Sequence, residues 1–332
     1  MKVLQGLHDR AARRPAHIAL SEGHDPRVVA GAIAAVRAGI ARVTLIGPEA
    51  AVCAQLAQAG AVDIPNITLQ DPETSPLTAE FAQTYFKLRQ HKGVSIDVAS
   101  LQAHDPLVFA AMMVRNGHAD GTLGGAVATT SQTMRAALQI IGKAKDAPLV
   151  SSFFLMVLPE NHPSGQTAMI FGDCGLVIDP DAHELAAIAV ASATSCTRLL
   201  GEPAKVALLS FSTLGSARHA SVTKVTDALA LLHNHHPDLQ VDGELQFDAA
   251  FVPDVAAAKA PGSSVAGQAN VMIFPNLDAG NIGYKIAQRI GGAEAIGPVL
   301  QGLAKPANDL SRGCTAQDVT HMIAVTTLQA AQ

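Results

Sequence analysis

Residues 17–47 read HIALSEGHDPRVVAGAIAAVRAGIARVTLIG and contain the repeating unit that decides the fold. Two short apolar runs, HIAL and ARVTLIG, flank an Ala-rich stretch that predicts a helix from about Pro26 to Ala38. Short β-branched runs that alternate with longer Ala-rich stretches are typical of a parallel α/β sheet. The segment therefore predicts a strand, a helix and a second strand of one sheet.

The same alternation continues along the chain and changes once, near Ala147-Pro148. Beyond that point, LVSSFFLMVL and TAMIFGDCGLVID predict successive strands of a new sheet, so a domain boundary is expected near residue 148. Before the boundary, helices are predicted at 76–89, 106–116 and 131–141, and a strand at 121–127. After it, helices are predicted at 183–200, 222–233 and 282–290, and strands at 205–211, 246–251 and 270–274.

Composition excludes several classes of protein. The 332 residues are 48% apolar and carry a net charge of −5, which argues against a nucleic-acid-binding surface because such a surface has a basic excess. No apolar run is long enough to predict a membrane-spanning helix. The four cysteines show no metal-ligand spacing, and their scatter suits a reduced, cytoplasmic protein. Neither a metal site nor a membrane association is expected.

Residues 306–318, PANDLSRGCTAQD, place chemically useful side chains beside the start of the closing helix. Thr315 is a predicted N-cap, which puts Asp318 in the first turn of that helix. Ser311 and Arg312 lie just before it, so a hydroxyl, a cation and a carboxylate converge where a helix N-terminus favours anions. This combination suits a phosphorylated or acyl-phosphate substrate. The alternative is a capped helix with a solvated Arg.

The glycine turn at 124–135, GGAVATTSQTMR, is a second candidate site. Its backbone N–H groups can cradle a phosphate, with Thr130 or Ser131 as the helix cap and Arg135 one turn along. The alternative is an ordinary turn between a strand and a helix. The segment is not a P-loop, because no Gly-Lys-Ser/Thr is present.

Two further segments carry weaker patterns. Residues 87–93, KLRQHKG, form a cationic cluster around Arg89 that suits an anionic ligand, although Lys and Arg also favour an ordinary helix end. Residues 210–216, SFSTLGS, end a strand and open a turn that suits a phosphate.

Five long motifs stand in order along the chain: SEGHDPRVV at 21–29, KLRQHKG at 87–93, ADGTLGGAVATTSQTMRAALQII at 119–141, LLSFSTLGSA at 208–217 and the block of residues 242–318. With these motifs the chain resembles the phosphate acetyltransferases, which share a superfamily with the phosphate butyryltransferases. The resemblance implies two α/β/α domains with mainly parallel sheets and an active-site cleft between them. It also implies a discontinuous first domain, residues 1–148 plus 303–332, and a second domain of residues 149–302.

The resemblance implies catalytic roles for Ser311, Arg312 and Asp318. Asp318 acts as a general base toward the thiol of coenzyme A, and the thiolate attacks the carbonyl of acetyl phosphate. Arg312 binds the phosphoryl group, and Ser311 donates a hydrogen bond to the developing oxyanion or the leaving group. The transfer is direct, without a covalent acyl-enzyme.

The remaining site residues are also implied by the resemblance. Arg89 corresponds to a position for coenzyme A, and Gly125, Thr130 and Ser131 form one wall of the acyl-phosphate site. Arg135 matches a functional Arg of the family. The expected substrates are acetyl-CoA, phosphate and acetyl phosphate. No metal or redox cofactor is implied, and a cytoplasmic homodimer is expected.

Two residues depart from the family pattern, and two alternative functions are considered. Leu214 and Gln268 stand where the family often carries Lys, which weakens the assignment of the 210–216 loop. A preference for butyryl or another short acyl chain is the nearest alternative function. A non-catalytic domain that senses acyl-CoA is the alternative of another class, and intact Ser311, Arg312 and Asp318 argue against it.

Overall fold

The computed structural model describes residues 2–331, which divide into two compact units. The terminal unit comprises Lys2–Lys145 and the chain from Leu303 onward, whereas the central unit comprises Asp146–Gly302. The chain therefore leaves the terminal unit once and returns to it.

Both units alternate strands and helices, numbered here along the chain. The terminal unit begins with α1 (Lys2–Ala12), β1 (Ala16–Leu20), α2 (Pro26–Arg37), β2 (Ala41–Ile46), α3 (Glu49–Gln58), β3 (Ile67–Gln70), α4 (Thr78–Arg89), α5 (Ile96–Ala103), α6 (Pro106–Asn116), β4 (Gly121–Gly124) and α7 (Thr130–Ala136), and a π-helical turn follows at Ala137–Ile141. The central unit contains β5 (Ser151–Val157), β6 (Ala168–Gly172), α8 (Ala182–Leu200), β7 (Val206–Leu209), α9 (Ala220–His235), β8 (Val241–Leu245), α10 (Phe247–Phe251), α11 (Pro253–Lys259), β9 (Val271–Ile273), α12 (Leu277–Arg289) and β10 (Glu294–Gln301). The terminal unit closes with β11 (Ala307–Asp309) and α13 (Ala316–Ala330).

The terminal unit is built on a parallel sheet with strand order β11-β4-β1-β2-β3. Leu20 of β1 pairs with Leu45 of β2 and Leu123 of β4, and Asp309 of β11 pairs with Gly124. Because all strands run the same way, their carboxyl ends meet along one edge of the sheet. The loops that leave this edge are where ligands bind in open α/β sheets.

The closing helix α13 packs on α1, α2 and the central strands of the terminal unit. A Cβ at Gly31 would lie 2.6 Å from Cβ of Val319, so the close approach of α2 and α13 requires glycine at this position. The hydroxyl of Thr320 donates to the Gly31 carbonyl at 3.2 Å. This contact fixes the N-terminal turn of α13, which carries Asp318, against α2.

The central unit has a mixed sheet with strand order β10-β5-β6-β9-β7-β8. Strands β6, β9, β7 and β8 are parallel. At one edge β5 pairs antiparallel with β6, and β10 pairs antiparallel with β5. Its core includes Phe154, which stacks on Tyr284 of α12 at a centroid distance of 4.0 Å. Fold class is therefore confirmed as α/β with mainly parallel sheets.

The strand prediction at 246–251 is wrong, because Phe247–Phe251 forms α10 and the strand ends at Leu245. The short apolar run FDAAF does not distinguish a strand from a helix by periodicity. The true strand, VDGEL, contains residues that are depleted in strands, and its neighbour in the sheet stabilises it instead. The short strands β3 and β11, of four and three residues, were not predicted either.

None of the helices in the described part of the chain is both long and apolar enough to span a bilayer.

Two histidines join α1 to α13. Nε2 of His8 lies 2.9 Å from Nδ1 of His321, and His321 is only 3% exposed. Burial and, to a lesser extent, the neighbouring His8 outweigh the opposing charge of Asp318 and lower the pKa of His321 to about 4. The folded chain therefore disfavours protonation of His321.

The pH dependence of stability tests this packing. Because the folded pKa of His321 lies below its ordinary value of 6.5, the unfolded chain binds more protons between about 4 and 6.5, and stability falls as pH falls through that window. We expect this site to reduce the free energy of unfolding by about 1–2 kcal/mol between about pH 7 and about pH 5, and His321→Gln to remove that loss. Urea unfolding at both pH values measures the change in the free energy of unfolding. The control is His118→Gln, at an exposed histidine. A variant with the full wild-type pH dependence would contradict the assignment.

Candidate active site

Three loops leave the carboxyl edge of the terminal-unit sheet side by side. They follow β1 at residues 21–25, β4 at 125–129 and β11 at 310–315. The loops are adjacent because β11, β4 and β1 are neighbours in the sheet. They bring Gly125 to the same edge of the sheet as Ser311 and Arg312, which are distant from it in sequence.

Glu22 holds the loop after β4. Its side chain is only 5% exposed, and it accepts hydrogen bonds from the backbone N–H groups of four consecutive residues. Oε2 accepts from Gly125 at 2.9 Å and Ala126 at 2.6 Å, and Oε1 accepts from Val127 at 3.0 Å and Ala128 at 2.7 Å. The prediction that these N–H groups cradle a phosphate is therefore wrong, because a carboxylate of the chain already occupies them.

The helix after this loop is capped by Thr129, not by Thr130 or Ser131 as predicted. Thr129 forms a capping box with Gln132, which leaves the exposed Thr130 and Ser131 in the first turn of α7. Gly125 has a φ of +103°, and a Cβ there would lie 2.2 Å from Oδ1 of Asp309. Backbone conformation and packing therefore explain why residue 125 is a glycine.

Ser311 and Arg312 lie on an exposed turn after β11. The turn is closed by a hydrogen bond of 2.9 Å from the Cys314 backbone N–H to the Ser311 carbonyl. Across residues 2–331 the Arg312 guanidinium makes no ion pair or hydrogen bond, so it is available to an anion. Cys314 is buried and burial raises the pKa of its thiol, so it packs in the turn as a neutral group.

Asp318 lies in the first turn of α13, as predicted, and forms a capping box with Thr315. Its Oδ2 accepts from the Thr315 backbone N–H at 2.7 Å and from the Thr315 hydroxyl at 2.9 Å. Both contacts use the same carboxylate oxygen, which leaves Oδ1 for another partner.

Arg135 is exposed on α7, one turn beyond Ser131, and α7 packs against β11. Arg89 ends α4, a helix whose first turns contact the end of α6 through a 2.7 Å hydrogen bond between Glu80 and Asn116. Nε of Arg89 is buried without a hydrogen-bond partner in the described chain.

The structure also identifies residues that sequence reasoning missed. Arg27 donates to Asp25 and to three backbone carbonyls, those of Ala126, Arg312 and Cys314. Burial works against ionisation of Asp25, but the hydrogen bonds and charge of Arg27 outweigh it and lower the Asp25 pKa. The only sequence signal was the motif SEGHDPRVV after the first strand, which showed no partners.

Asp309 is fully buried beside the site, with 0% exposure. Neither carboxylate oxygen has a hydrogen-bond partner of normal geometry in the described residues. Burial, with a smaller contribution from the charge of Glu22, outweighs the opposing hydroxyls of Thr130 and Thr133 and raises the Asp309 pKa to about 6. The chain thus buries a costly carboxyl group one residue before Leu310-Ser311.

The 210–216 loop of the central unit turns its hydroxyls inward. The Ser212 hydroxyl donates to the buried Glu244 at 2.7 Å, and Glu244 also accepts from the Gly215 N–H at 2.8 Å. Leu214 is 49% exposed, and Gln268 accepts a hydrogen bond from Lys205. The hydroxyls of Ser212 and Thr213 therefore hold the loop together, with Thr213 only 6% exposed.

The terminal unit is an open parallel α/β sheet with an exposed hydroxyl and guanidinium on one strand-end loop and a carboxylate in the first turn of the helix that follows, a combination that suits an anionic substrate. The chain belongs to the phosphate acetyl/butaryl transferase family, whose profile matches residues 2–327.

Individual relatives match over the full chain. It is 51% identical to a phosphate acetyltransferase of Paracoccus denitrificans and 45% identical to one of Acetivibrio thermocellus, in each case over 99% of the chain and at least 98% of the relative. Among solved structures, a phosphotransacetylase from Streptococcus pyogenes matches with a TM-score of 0.91 at 40% identity, over 99% of this chain and 98% of that one. The EutD phosphotransacetylase from Staphylococcus aureus matches with a TM-score of 0.89 at 41% identity and the same coverage.

Asp309 gives the site a measurable stability cost. Because its folded pKa of about 6 exceeds its ordinary value of 3.8, the folded chain favours the protonated form, and stability is lost as pH rises through about 6. We expect Asp309→Asn to raise the free energy of unfolding by about 1–3 kcal/mol above that pH, with the gain shrinking as pH falls toward about 4.

Chemical unfolding across this pH range measures the effect, with Asp63→Asn as the matched control on an exposed carboxylate. A destabilised Asp309→Asn protein near neutral pH would show that the buried carboxylate is compensated.

Proposed function

We propose that the chain catalyses reversible acetyl transfer between coenzyme A and phosphate, the phosphate acetyltransferase reaction. The observation that carries this proposal is the exposed turn at Ser311 and Arg312, in a chain 51% identical over its length to a phosphate acetyltransferase. The Ser311 hydroxyl and the Arg312 guanidinium are exposed to solvent at the carboxyl edge of the sheet, where parallel α/β sheets bind ligands.

Asp318 is the proposed general base toward the coenzyme A thiol. Thr315 occupies Oδ2 from two directions, so the thiol proton is received at Oδ1. A thiol with an ordinary pKa near 8.5 is poorly matched to a carboxylate near 4. Arg312 addresses this mismatch, because a nearby cation favours the thiolate.

The reaction then forms one bond and breaks one. The thiolate sulfur attacks the carbonyl carbon of acetyl phosphate, a carbon–sulfur bond forms, and the carbon–oxygen bond to the phosphoryl group breaks. Arg312 neutralises the phosphate that leaves, and Ser311 donates a hydrogen bond to the developing oxyanion or the leaving oxygen. Coenzyme A is a substrate of this scheme, which assigns no step to a metal or redox cofactor.

Arg89 is the proposed contact for coenzyme A phosphates, and Arg135 belongs to the proposed wall of the acyl-phosphate site. The assignment of Arg89 is supported by its place in the cationic segment KLRQHKG at the end of α4. Gly125, Thr130 and Ser131 form the proposed wall of the acyl-phosphate site. The two hydroxyls are exposed, whereas Gly125 contributes through the shape of its loop.

Thioester consumption tests the function directly. Purified protein is given phosphate with acetyl-, propionyl- or butyryl-CoA, and both thioester loss and acyl phosphate are measured. We expect the acetyl substrate to give the highest kcat/KM. Faster transfer of the butyryl group would overturn the acetyl assignment, and no transfer with any of them would overturn the enzyme assignment.

A cytoplasmic location is proposed together with this activity. All four cysteines are free thiols, and three of them are buried. Disulfides persist in oxidising compartments, so free thiols throughout suit a reducing one.

A homodimer is proposed through α12 of the central unit. Ile282, Ile286 and Ile290 recur at four-residue spacing, on and just after this helix, and are 58%, 52% and 84% exposed. Such a stripe lies on one helix face, and large exposed apolar patches mark protein interfaces.

Sedimentation tests the dimer. We expect wild-type protein to sediment as a dimer and Ile286→Glu to sediment as a monomer, because a charge would be buried at the centre of the stripe. Val62→Glu, at an apolar residue 67% exposed on the terminal unit, is the matched control. A dimeric Ile286→Glu protein would place the interface elsewhere.

The pH dependence of an Asp318 variant tests the base. Asp318→Asn keeps an oxygen for the Thr315 cap but cannot accept the thiol proton, so we expect kcat to fall about 10²–10⁴-fold with little change in KM. Activity should recover partly toward the thiol pKa, where more coenzyme A is already ionised.

Thr315→Val is the matched control for the cap, because it removes the hydroxyl and leaves the carboxylate. We expect it to lower stability by about 1 kcal/mol and kcat much less than Asp318→Asn does. An Asp318→Asn protein impaired equally at every pH would assign Asp318 a positioning role instead.

A further inference from the structure

Arg27 connects all three strand-end loops of the terminal unit. Its Nη1 donates to the carbonyl of Arg312 at 2.7 Å and to that of Cys314 at 3.2 Å. Its Nη2 donates to the carbonyl of Ala126 at 2.8 Å and to Oδ2 of Asp25 at 2.8 Å. The guanidinium is therefore committed to the protein, with its charge paired to Asp25.

The peptide groups that Arg27 holds have a second contact on their other side. A trans peptide is planar, and its carbonyl and N–H point in opposite directions. The peptide between Arg312 and Gly313 turns its carbonyl to Arg27, and its N–H donates to Oγ of Ser311 at 3.2 Å.

The next peptide but one repeats this arrangement. The carbonyl of Cys314 accepts from Arg27, and the N–H of Thr315 in the same peptide donates to Oδ2 of Asp318 at 2.7 Å. One guanidinium thus fixes two peptide planes, and each plane orients a different side chain of the proposed catalytic set.

We infer that Arg27 is a positioning residue that fixes the Ser311 hydroxyl and the Asp318 carboxylate at the same time through the backbone of the turn. The inference rests on the proposed function, which gives those two groups their roles. Because Ser311 Oγ accepts the Gly313 N–H, its own proton is free to donate to substrate. Because Asp318 Oδ2 accepts the hydrogen bond from the Thr315 N–H, Oδ1 is the oxygen left to accept the proton of the coenzyme A thiol.

A side chain committed in this way should influence turnover more than binding. Small displacements of positioned groups cost up to about 10²-fold in rate. We expect Arg27→Gln to lower kcat about 10–100-fold while the KM values for both substrates change little. Arg27→Lys keeps the pairing with Asp25 but lacks the fork that spans two carbonyls, so it should recover only part of the rate. Arg37→Gln, at an exposed Arg on the same helix, is the matched control.

A double-mutant cycle separates positioning from general support of the fold. If Arg27 acts through Ser311 and Asp318, adding Arg27→Gln to the Ser311→Ala/Asp318→Asn protein should cost less than about threefold in residual rate. Loss of the full single-variant factor in that background would overturn the inference, as would a wild-type kcat for Arg27→Gln alone.

Amide hydrogen exchange over residues 311–318 gives a readout that is independent of catalysis. We expect Arg27→Gln and Arg27→Lys to increase exchange in this segment, because the peptide planes lose their clamp, and Arg37→Gln to leave it unchanged. Unchanged exchange in both Arg27 variants would overturn the inference. A wild-type protein that transfers no acyl group would overturn the proposed function, while the exchange result would still decide whether Arg27 holds the turn.

Discussion

The hydrogen bonds between the Glu22 carboxylate and four consecutive backbone N–H groups are the constraint on which the site depends. A buried carboxylate is costly unless its oxygens are satisfied, and four unpaired backbone donors in a loop are costly for the same reason. The four N–H groups satisfy the Glu22 carboxylate, and the carboxylate satisfies the four N–H groups, so neither is left buried without a hydrogen bond. The loop after β4 is thereby fixed relative to the end of β1, and Gly125 can pack against Asp309 and Leu310. The loop after β4 is in this way a fixed neighbour of the turn that carries Ser311.

The central unit uses the same device at two of its own strands. Asp173, directly after β6, accepts hydrogen bonds from the backbone N–H groups of Ser152, Gly175, Leu176 and Val177. Glu244, within β8, accepts from the Ser212 hydroxyl and the Gly215 N–H. Both carboxylates are at most 3% exposed. Asp173 and Glu244 thus order loops at strand ends as Glu22 does, because backbone N–H groups and a hydroxyl donate to their carboxylates.

The terminal unit adds to this order a group that remains uncompensated. Asp309 is as buried as Glu22, yet neither of its oxygens makes a hydrogen bond of normal geometry in the described residues. Its neighbours on the chain lead directly into the exposed turn at Ser311. Costly buried groups concentrate at functional sites, where stability is sacrificed for the placement of chemistry. The contrast between satisfied Glu22 and unsatisfied Asp309, both against Gly125, distinguishes the edge of the sheet where the candidate site lies.

Sequence alone determined the α/β class, most of the long helices, and the cap that places Asp318 at the start of α13. These features depend on periodicity and on residues only a few positions apart, so local pattern contains them. Tertiary structure decided that FDAAF is helical, that Thr129 caps α7, and that Glu22 and not a phosphate occupies the loop after β4. It also decided that Arg27 holds the backbone of Arg312, 285 positions away. Such contacts join strands that are neighbours only in the folded sheet, and one sequence read along its length does not contain their distances.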